Sequence, residues 1–138
     1  VTGVSISIEK EDIMRSEKIS LPDSGYALQF EIIERTDNFI IPTSPGIACF
    51  DYQTLKFPLL IRKWKAGDYF YPLGMKKHKK LSDFFIDEKI NRLEKEQQWL
   101  LCSQQNIAWI IGRRLDNRFK ITPQSRIILK CAICAAKK

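Results

Sequence analysis

A cluster of cationic side chains at residues 76–80 has the chemistry to bind a polyanion. It reads Lys-Lys-His-Lys-Lys and follows a Pro-Leu-Gly-Met corner, with Tyr69 and Tyr71 a short distance before it. Helix-like sequence begins directly after it, at Ser82. Because the cluster lies between folded elements, its charge is held in place. Fixed positive charge beside aromatic rings favours nucleic acid as the partner.

The net charge of +7 is concentrated in two segments of the chain. Residues 56–80 contain 8 basic and 1 acidic residues, and residues 110–138 contain the same numbers, so each segment carries +7. The rest of the chain is mildly acidic, with −5 over residues 1–55 and −2 over residues 81–109. If the fold brings the two basic segments together, they form one basic face, which indicates a directed partner more than a need for solubility.

Phosphate binding is the chemistry that these cations favour. Lysine acts as a point charge for phosphate, and arginine donates to two oxygens at once. An RNA stem offers mainly phosphates, 2′-hydroxyls and shape, because its base edges are hidden in a deep groove. Solvation is the alternative role for each lysine, and an ion pair with Asp116 is the alternative for Arg114. The candidate RNA contacts are Lys76, Lys77, His78 (stacking or donating), Lys79, Lys80, Arg113, Arg114 and Arg118.

The four cysteines have little of the pattern of a metal site. Cys131 and Cys134 have zinc-ligand spacing, but no second pair and no nearby histidine accompany them, so we expect no metal there. Cys49 and Cys102 lie in apolar, strand-like sequence and are predicted to be small core residues. All four are expected to be reduced thiols of a cytoplasmic protein, since no secretory signal is evident.

Strand patterns outnumber helix patterns along the chain. Alternating apolar residues predict strands at residues 4–8 and 26–32, and apolar runs predict others at 47–51, 57–63 and 125–133, with a hairpin over 99–111. Two short helices are predicted in the middle of the chain. The predicted class is therefore α+β, with mostly antiparallel strands in a sandwich-like arrangement.

Capping signals place the two central helices. Ser82 is the predicted N-cap of the first helix, with Leu81 and Ile86 as a hydrophobic staple. Asn91 is the predicted start of the second helix, and Glu94 is its capping-box partner.

Trp64 and Trp109 are predicted to pack in the core, and Arg62 with Asp68 is a candidate ion pair that braces a turn. 

Four motifs in one order carry a family resemblance. They read RKWKAGD at residues 62–68, PLGM at 72–75, KKLSDFFID at 79–87 and GRRLDNRF at 112–119. With these motifs the chain resembles the C-terminal region of bacterial tRNA(Ile)-lysidine synthetases over residues 40–130. It departs from that family at Asn91, where proline is usual, and at residues 76–78, where the family has a glycine-rich basic turn.

The resemblance implies an RNA-binding role without catalysis. Enzymes of that family use ATP, with Mg²⁺, to adenylate the wobble cytidine of tRNA(Ile), and lysine then displaces AMP. That chemistry belongs to an N-terminal domain with a Ser-Gly-Gly-x-Asp-Ser loop, and Ser24-Gly25-Tyr26 is the nearest sequence here. The resemblance thus implies no catalytic residue and no cofactor in this chain. It also implies a grip on the tRNA acceptor stem and a fold like a domain of the phenylalanyl-tRNA synthetase β chain.

The organisation expected from sequence is a fragment of a longer cytoplasmic protein. The chain begins with valine, and no apolar run is long enough to cross a membrane. Residues 1–45 are predicted to be a strand-rich linker or the end of a preceding domain, and residues 46–138 the C-terminal tRNA-binding domain. The expected partners are the acceptor stem of tRNA(Ile) and the N-terminal catalytic domain of the same protein, with a homodimer also considered.

Other functional classes stay open at this point. Asp83 and Asp87, four residues apart on one helix face, could share a divalent ion in a nuclease, although Asp83 also suits the helix dipole. A protein-interaction or dimerisation module could use a sheet edge or the face with Phe84 and Phe85. A generic RNA-binding domain would prefer unpaired RNA to a stem.

Overall fold

The computed structural model describes residues 5–15 and 17–136 of the chain. Strands dominate these residues, and the helices are all short. The strands are β1 (Ser5–Ile8), β2 (Ile19–Leu21), β3 (Tyr26–Glu34), β4 (Ile47–Asp51), β5 (Leu59–Lys63), β6 (Tyr69–Phe70), β7 (Lys79–Lys80), β8 (Trp99–Ser103), β9 (Asn106–Ile110), β10 (Arg114–Leu115) and β11 (Ile127–Ala135). The helices are α1 (Lys10–Met14), α2 (Leu81–Asp87) and α3 (Arg92–Glu96).

Two antiparallel sheets form the framework. The five-stranded sheet has the order β1-β5-β8-β9-β10, and the four-stranded sheet has the order β2-β3-β11-β4. A separate two-stranded ribbon, β6-β7, carries the lysine-rich sequence. The α+β class with antiparallel strands and two short central helices is confirmed. The helix α1 was not predicted.

The main core lies between the two sheets, as in a sandwich. Leu59, Leu101 and Trp109 of the five-stranded sheet share one buried cluster with Phe50 and Leu129 of the four-stranded sheet. The rings of Phe50 and Trp109 meet edge to face at 6.5 Å between centroids. Burying aromatic and aliphatic side chains from both sheets is the main contribution that holds the layers together.

A second core lies on the other face of the five-stranded sheet. In β8, Trp99 and Leu101 point into the main core, whereas Leu100 and Cys102 point to the cluster that includes Phe85 of α2. This alternation follows from the period of two along a strand. The five-stranded sheet is therefore a middle layer, and α2 covers the face that the four-stranded sheet does not.

The helix starts were predicted with mixed success. The α2 helix begins at Leu81 with Lys80 at the N-cap, so the prediction of Ser82 as N-cap is wrong. Ile86 is 70% exposed, and it forms no staple with the buried Leu81. The capping box of α3 is confirmed, because the Glu94 amide donates to Asn91 Oδ1 at 2.8 Å and the Asn91 amide donates to Glu94 Oε1 at 3.1 Å.

Residues before 46 supply strands to both sheets. The strand β1 pairs with β5, and β3 pairs with β11 along its whole length, from Tyr26–Ala135 to Glu34–Ile127. Val4, the first residue of the strand predicted at residues 4–8, lies outside the described residues. The division at residue 45 stays a prediction, although the strands on its two sides share sheets and one core.

The four cysteines differ in burial. Cys49, Cys102 and Cys131 are buried. Burial raises the pKa of Cys102 to about 11 and holds the pKa of Cys131 well above its ordinary value, so neither forms a thiolate near neutral pH. Cys131 faces the main core, whereas Cys134, three residues along the same strand, points the other way and donates to the Ala27 carbonyl.

Among residues 5–15 and 17–136, no helix has the length and apolar composition needed to span a membrane.

Candidate nucleic-acid interface

The predicted cationic cluster lies on a loop that the β6-β7 ribbon closes. Tyr69 pairs with Lys80 and Phe70 pairs with Lys79, so residues 71–78 project from the ribbon; we call residues 71–80 the lysine loop. Phe70 is fully buried, while Tyr69, on the opposite face, is 48% exposed. The ribbon is thereby anchored in the second core on one side and open to solvent on the other.

An ion pair at the base of the ribbon fixes where the loop leaves the fold. Arg62 Nη1 and Nη2 donate to the two carboxylate oxygens of Asp68 at 2.9 and 3.0 Å, as the sequence predicted. Hydrogen bonding to Asp68 raises the pKa of Arg62. The Lys65 amide donates to the same carboxylate at 2.7 Å, and the Asp68 carbonyl accepts from the Leu81 amide at 3.0 Å. Asp68 therefore joins β5, the turn at residues 65–68 and the start of α2.

A buried carboxylate joins the two basic segments. Asp116 is completely buried, and its Oδ2 accepts from the Tyr71 amide at 2.9 Å and from Arg118 Nη2 at 3.0 Å. Its Oδ1 accepts from the Arg118 amide at 2.7 Å and from Arg118 Nε at 3.0 Å. The Asn117 amide also donates to the Tyr71 carbonyl. Residues 56–80 and 110–138 thus meet at this point, which is the condition for one basic face.

Aromatic rings line the junction. The Arg118 guanidinium lies 4.4 Å from the centre of the Tyr71 ring, a distance typical of a cation–π contact. His78 lies 5.0 Å from Tyr69 and 6.0 Å from Tyr71 between ring centroids. Tyr69, Tyr71 and His78 form an aromatic cluster beside the cations, and a stacking or donating role of His78 on RNA stays a prediction.

The lysines of the loop differ in their availability. Lys76, Lys77 and Lys80 are exposed, and none of them takes part in an ion pair among the described residues. Lys79 is half-buried and pairs with Asp87 of α2. Three lysines are therefore free to neutralise an external anion, whereas the charge of Lys79 is already balanced.

The three arginines predicted as RNA contacts all have partners inside the protein. Arg113 Nε donates to Oε1 of the buried Gln98 at 2.7 Å, and Arg113 Nη2 lies 3.9 Å from Glu94. Arg114 lies 3.7 Å from Glu88 and 5.6 Å from the centre of the Phe84 ring. The alternative pairing of Arg114 with Asp116 is wrong, because Asp116 pairs with Arg118.

Two residues outside the predicted RNA contacts organise the loop. Asp116 is the central acceptor, and Asn117 Oδ1 accepts from the Gly74 amide at 2.9 Å. The sequence carries a signal for the role of Asp116 in the motif GRRLDNRF, where one aspartate stands among three arginines. A lone acid in a strongly basic segment is a candidate for an internal acceptor.

The rival site proposals receive less support from the geometry. Asp87 is occupied by Lys79, which leaves Asp83 without its expected co-ligand, and no group of three acidic, histidine or cysteine residues suited to a metal occurs in the described part of the chain. The face proposed for a protein contact is also not available, since Phe84 is 3% exposed and Phe85 is fully buried.

Comparison with known proteins gives the family. The sequence model of the family described as the TilS substrate C-terminal domain matches residues 59–131, more than half of the chain. The chain belongs to this family. The lysine loop, the brace at Asp68 and the junction at Asp116 all lie within the matched residues.

Named relatives agree with this assignment. The tRNA(Ile)-lysidine synthase of Parabacteroides distasonis is 49% identical over 121 residues, which cover 88% of this chain and 28% of the relative. The enzyme of the same name from Bacteroides thetaiotaomicron is 42% identical over 119 residues, which cover 86% of this chain and 27% of the relative. The enzyme of the same name from Clostridium tetani is 32% identical over 130 residues, which cover 94% of this chain and 28% of the relative. The chain thus spans little more than a quarter of the length of these relatives.

Solved structures share the fold. A crystal structure of a TilS C-terminal domain superposes with a TM-score of 0.78 at 20% identity, covering 99% of this chain and all of the other. An N-terminal fragment of the phenylalanyl-tRNA synthetase β-subunit from Pyrococcus horikoshii superposes with a TM-score of 0.52 at 18% identity, covering 63% of this chain and 27% of the other. The expected likeness to both folds is confirmed.

Proposed function

We propose that the chain is the C-terminal tRNA-binding region of a tRNA(Ile)-lysidine synthase. The whole enzyme would be an ATP-dependent ligase of the cytoplasm that attaches lysine to the wobble cytidine of tRNA(Ile). Family membership and the names of the relatives support this activity for the parent protein. The role of this region would be to hold the acceptor stem while the N-terminal catalytic domain acts on the anticodon.

The junction of the two basic segments is the observation that carries the RNA-binding role. Asp116 fixes the backbone at Tyr71 and the side chain of Arg118 together, and the loop presents Lys76, Lys77 and Lys80 to solvent. A stem presents regularly spaced phosphates and hides the base edges of its deep major groove, so a rigid array of point charges suits it. The aromatic cluster adds ring faces at the same place.

The proposed activity places ATP and Mg²⁺ outside this chain. The sequence nearest to a pyrophosphate loop, Ser24-Gly25-Tyr26, forms the turn between β2 and β3. There, Ser24 Oγ donates to the Leu21 carbonyl at 2.7 Å and accepts from the Tyr26 amide at 3.0 Å. Its polar groups are used within the turn and do not fit a phosphate cradle. By this proposal the chain binds RNA and performs no chemistry alone.

Binding measurements across a salt series test the proposal. The ligands are tRNA(Ile), a minihelix of its acceptor stem and a single strand of the same nucleotides. We expect similar, salt-sensitive affinity for the tRNA and the minihelix, and weaker binding of the single strand. Preference for the single strand would instead indicate a generic RNA binder. Absence of binding at low salt, with a salt-resistant dimer in sedimentation, would indicate an interaction module, and Mg²⁺-dependent cleavage of the tRNA would indicate a nuclease.

A further inference from the structure

The Pro-Leu-Gly-Met corner of the lysine loop exposes two large apolar side chains. Leu73 and Met75, which flank Gly74, are each 47% exposed. Lys76 and Lys77 follow directly. We call Leu73 and Met75 the apolar tip. Because Leu73 and Met75 stand directly before the free Lys76 and Lys77, an anion bound by those lysines also meets an apolar surface of the same loop.

The tip is held rigidly and is not exposed through looseness of the loop. The Leu73 amide donates to the Leu115 carbonyl at 3.0 Å, and the Met75 amide donates to the Pro72 carbonyl at 2.8 Å. Between them Gly74, at a φ of +87°, donates to Asn117 Oδ1. The bonds of Leu73 and Gly74 fix the backbone against the second basic segment, and the bond of Met75 closes the turn within the loop. A ligand therefore meets an ordered surface, and little conformational entropy is lost on binding.

The chemistry of the tip suits one feature of an RNA stem. Inside a stem the flat faces of the base pairs are covered by stacking, and only the last pair presents an apolar face to solvent. Apolar side chains such as leucine and methionine do pack against base faces in nucleic-acid complexes. Lysines beside the tip would meet the phosphates that flank such a terminal pair.

We propose that the apolar tip packs on the exposed face of the terminal base pair of an RNA stem, with Lys76 and Lys77 on the phosphates of that end. This inference rests on the proposed function and adds to it that the loop recognises the end of a stem and not its length. The apolar contact contributes no counterion release, so it strengthens binding without steepening its salt dependence.

The experiment compares two RNAs and two double variants of the chain. One RNA is a minihelix with an open stem end, and the other is the same stem with that end closed by a tetraloop. Leu73→Ser/Met75→Ser removes the tip. Ile86→Ser/Leu93→Ser is the matched control, because those two side chains are 70% and 63% exposed on α2 and α3. Circular dichroism and thermal melting verify that both variants are folded.

We expect the unaltered chain to prefer the open end by roughly tenfold or more, the effect of burying the exposed halves of two such side chains. The tip variant should lose this preference and keep the salt slope, and the control should keep both. Equal binding of the two RNAs by the unaltered chain, or an unchanged preference in the tip variant, would overturn the inference alone. Failure of the unaltered chain to bind either RNA would overturn the proposed function and this inference with it.

A protein partner for the tip would give a different result. In that case Leu73→Ser/Met75→Ser would leave both RNA affinities unchanged and would reduce self-association in sedimentation. That outcome would also overturn the inference.

Discussion

The two basic segments carry the same net charge, but their predicted RNA contacts use it in different ways. In the lysine loop, Lys76, Lys77 and Lys80 are exposed and outside the ion pairs of the described residues. In the second segment, Arg113, Arg114 and Arg118 each lie against an acidic residue of the protein itself. Equal charge counts therefore do not mean equal availability to a ligand.

The chemistry of the two cations explains the division. The guanidinium of arginine is planar and donates through several N–H groups, so it can bind a carboxylate, an amide and a ring face at once. Arg118 does this with Asp116 and Tyr71. The ammonium of lysine is compact and strongly hydrated, which suits a mobile contact with phosphate. Arginine here positions the surface, and lysine supplies its free charge.

Removal of the buried acceptor is expected to have the largest effect. Asp116→Asn leaves the Tyr71 amide and the Arg118 guanidinium without their charged acceptor. Since one partner of the pair is fully buried, we expect a loss of about 3 kcal/mol in the free energy of unfolding, measured with urea. Asp87→Asn, at the exposed pair with Lys79, is the control and should cost less than about 1 kcal/mol. Equal losses would show that the junction at Asp116 does not brace the loop.

Loss of the free lysines is expected to have the next largest effect. Lys76→Ala/Lys77→Ala/Lys80→Ala should weaken acceptor-stem binding and flatten the plot of log affinity against log salt by up to about one unit per lysine. Stability should be nearly unchanged. The matched control removes three exposed lysines that lie elsewhere, Lys10, Lys18 and Lys56. If the control flattens the slope as much, binding is due to net charge and not to the loop.

Exchange of the cation types sharpens the comparison. Arg113→Lys keeps the charge and loses the donation from Nε to Gln98, so we expect a loss of about 1 kcal/mol in stability and no change in RNA affinity. Lys76→Arg keeps the charge of a free side chain and should alter neither quantity. A fall in RNA affinity for Arg113→Lys at unchanged stability would mean that Arg113 contacts the RNA directly.

The smallest effect on RNA affinity is expected at Lys79, which is paired with Asp87, whereas the next residue, Lys80, has no ion pair among the described residues. Lys80→Ala should weaken RNA binding, whereas Lys79→Ala should change it little, because Asp87 already balances that charge. Asp87→Ala should release Lys79 and strengthen binding modestly, by less than about tenfold. Stronger loss of binding for Lys79→Ala than for Lys80→Ala would contradict the assignment of free and balanced charges.

The elements that sequence reasoning predicted best are those with local causes. The hairpin of β8 and β9 follows from two apolar runs around a short polar turn, and the start of α3 follows from the reciprocal bonds of Asn91 and Glu94. The start of α2 was misplaced at Ser82 because its first residue is held by a backbone bond from the Leu81 amide to the distant Asp68 carbonyl. No local pattern reveals that bond.

The site was only partly predictable for a similar reason. Asp116 stands two residues from both Arg114 and Arg118, so spacing alone cannot choose its partner. The 3₁₀ turn at Asn117–Phe119 decides it, because Asp116 caps this turn and accepts from the Arg118 amide. The turn brings the Arg118 side chain to the same carboxylate. Placement of Tyr71 beside them depends on contacts between residues far apart in sequence, and the aromatic cluster forms for that reason.

The position of β11 has a consequence for the making of the protein. This strand lies between β3 and β4 in the four-stranded sheet and is the last element of the chain that the structure describes. During synthesis β3 and β4 therefore leave the ribosome long before the strand that joins them. A nascent chain interrupted before Ile127 holds every residue of the lysine loop but lacks the middle strand of the four-stranded sheet, which encloses the main core. Synthesis of β11 is thus a condition for the complete sandwich, whose five-stranded sheet supports the β6-β7 ribbon.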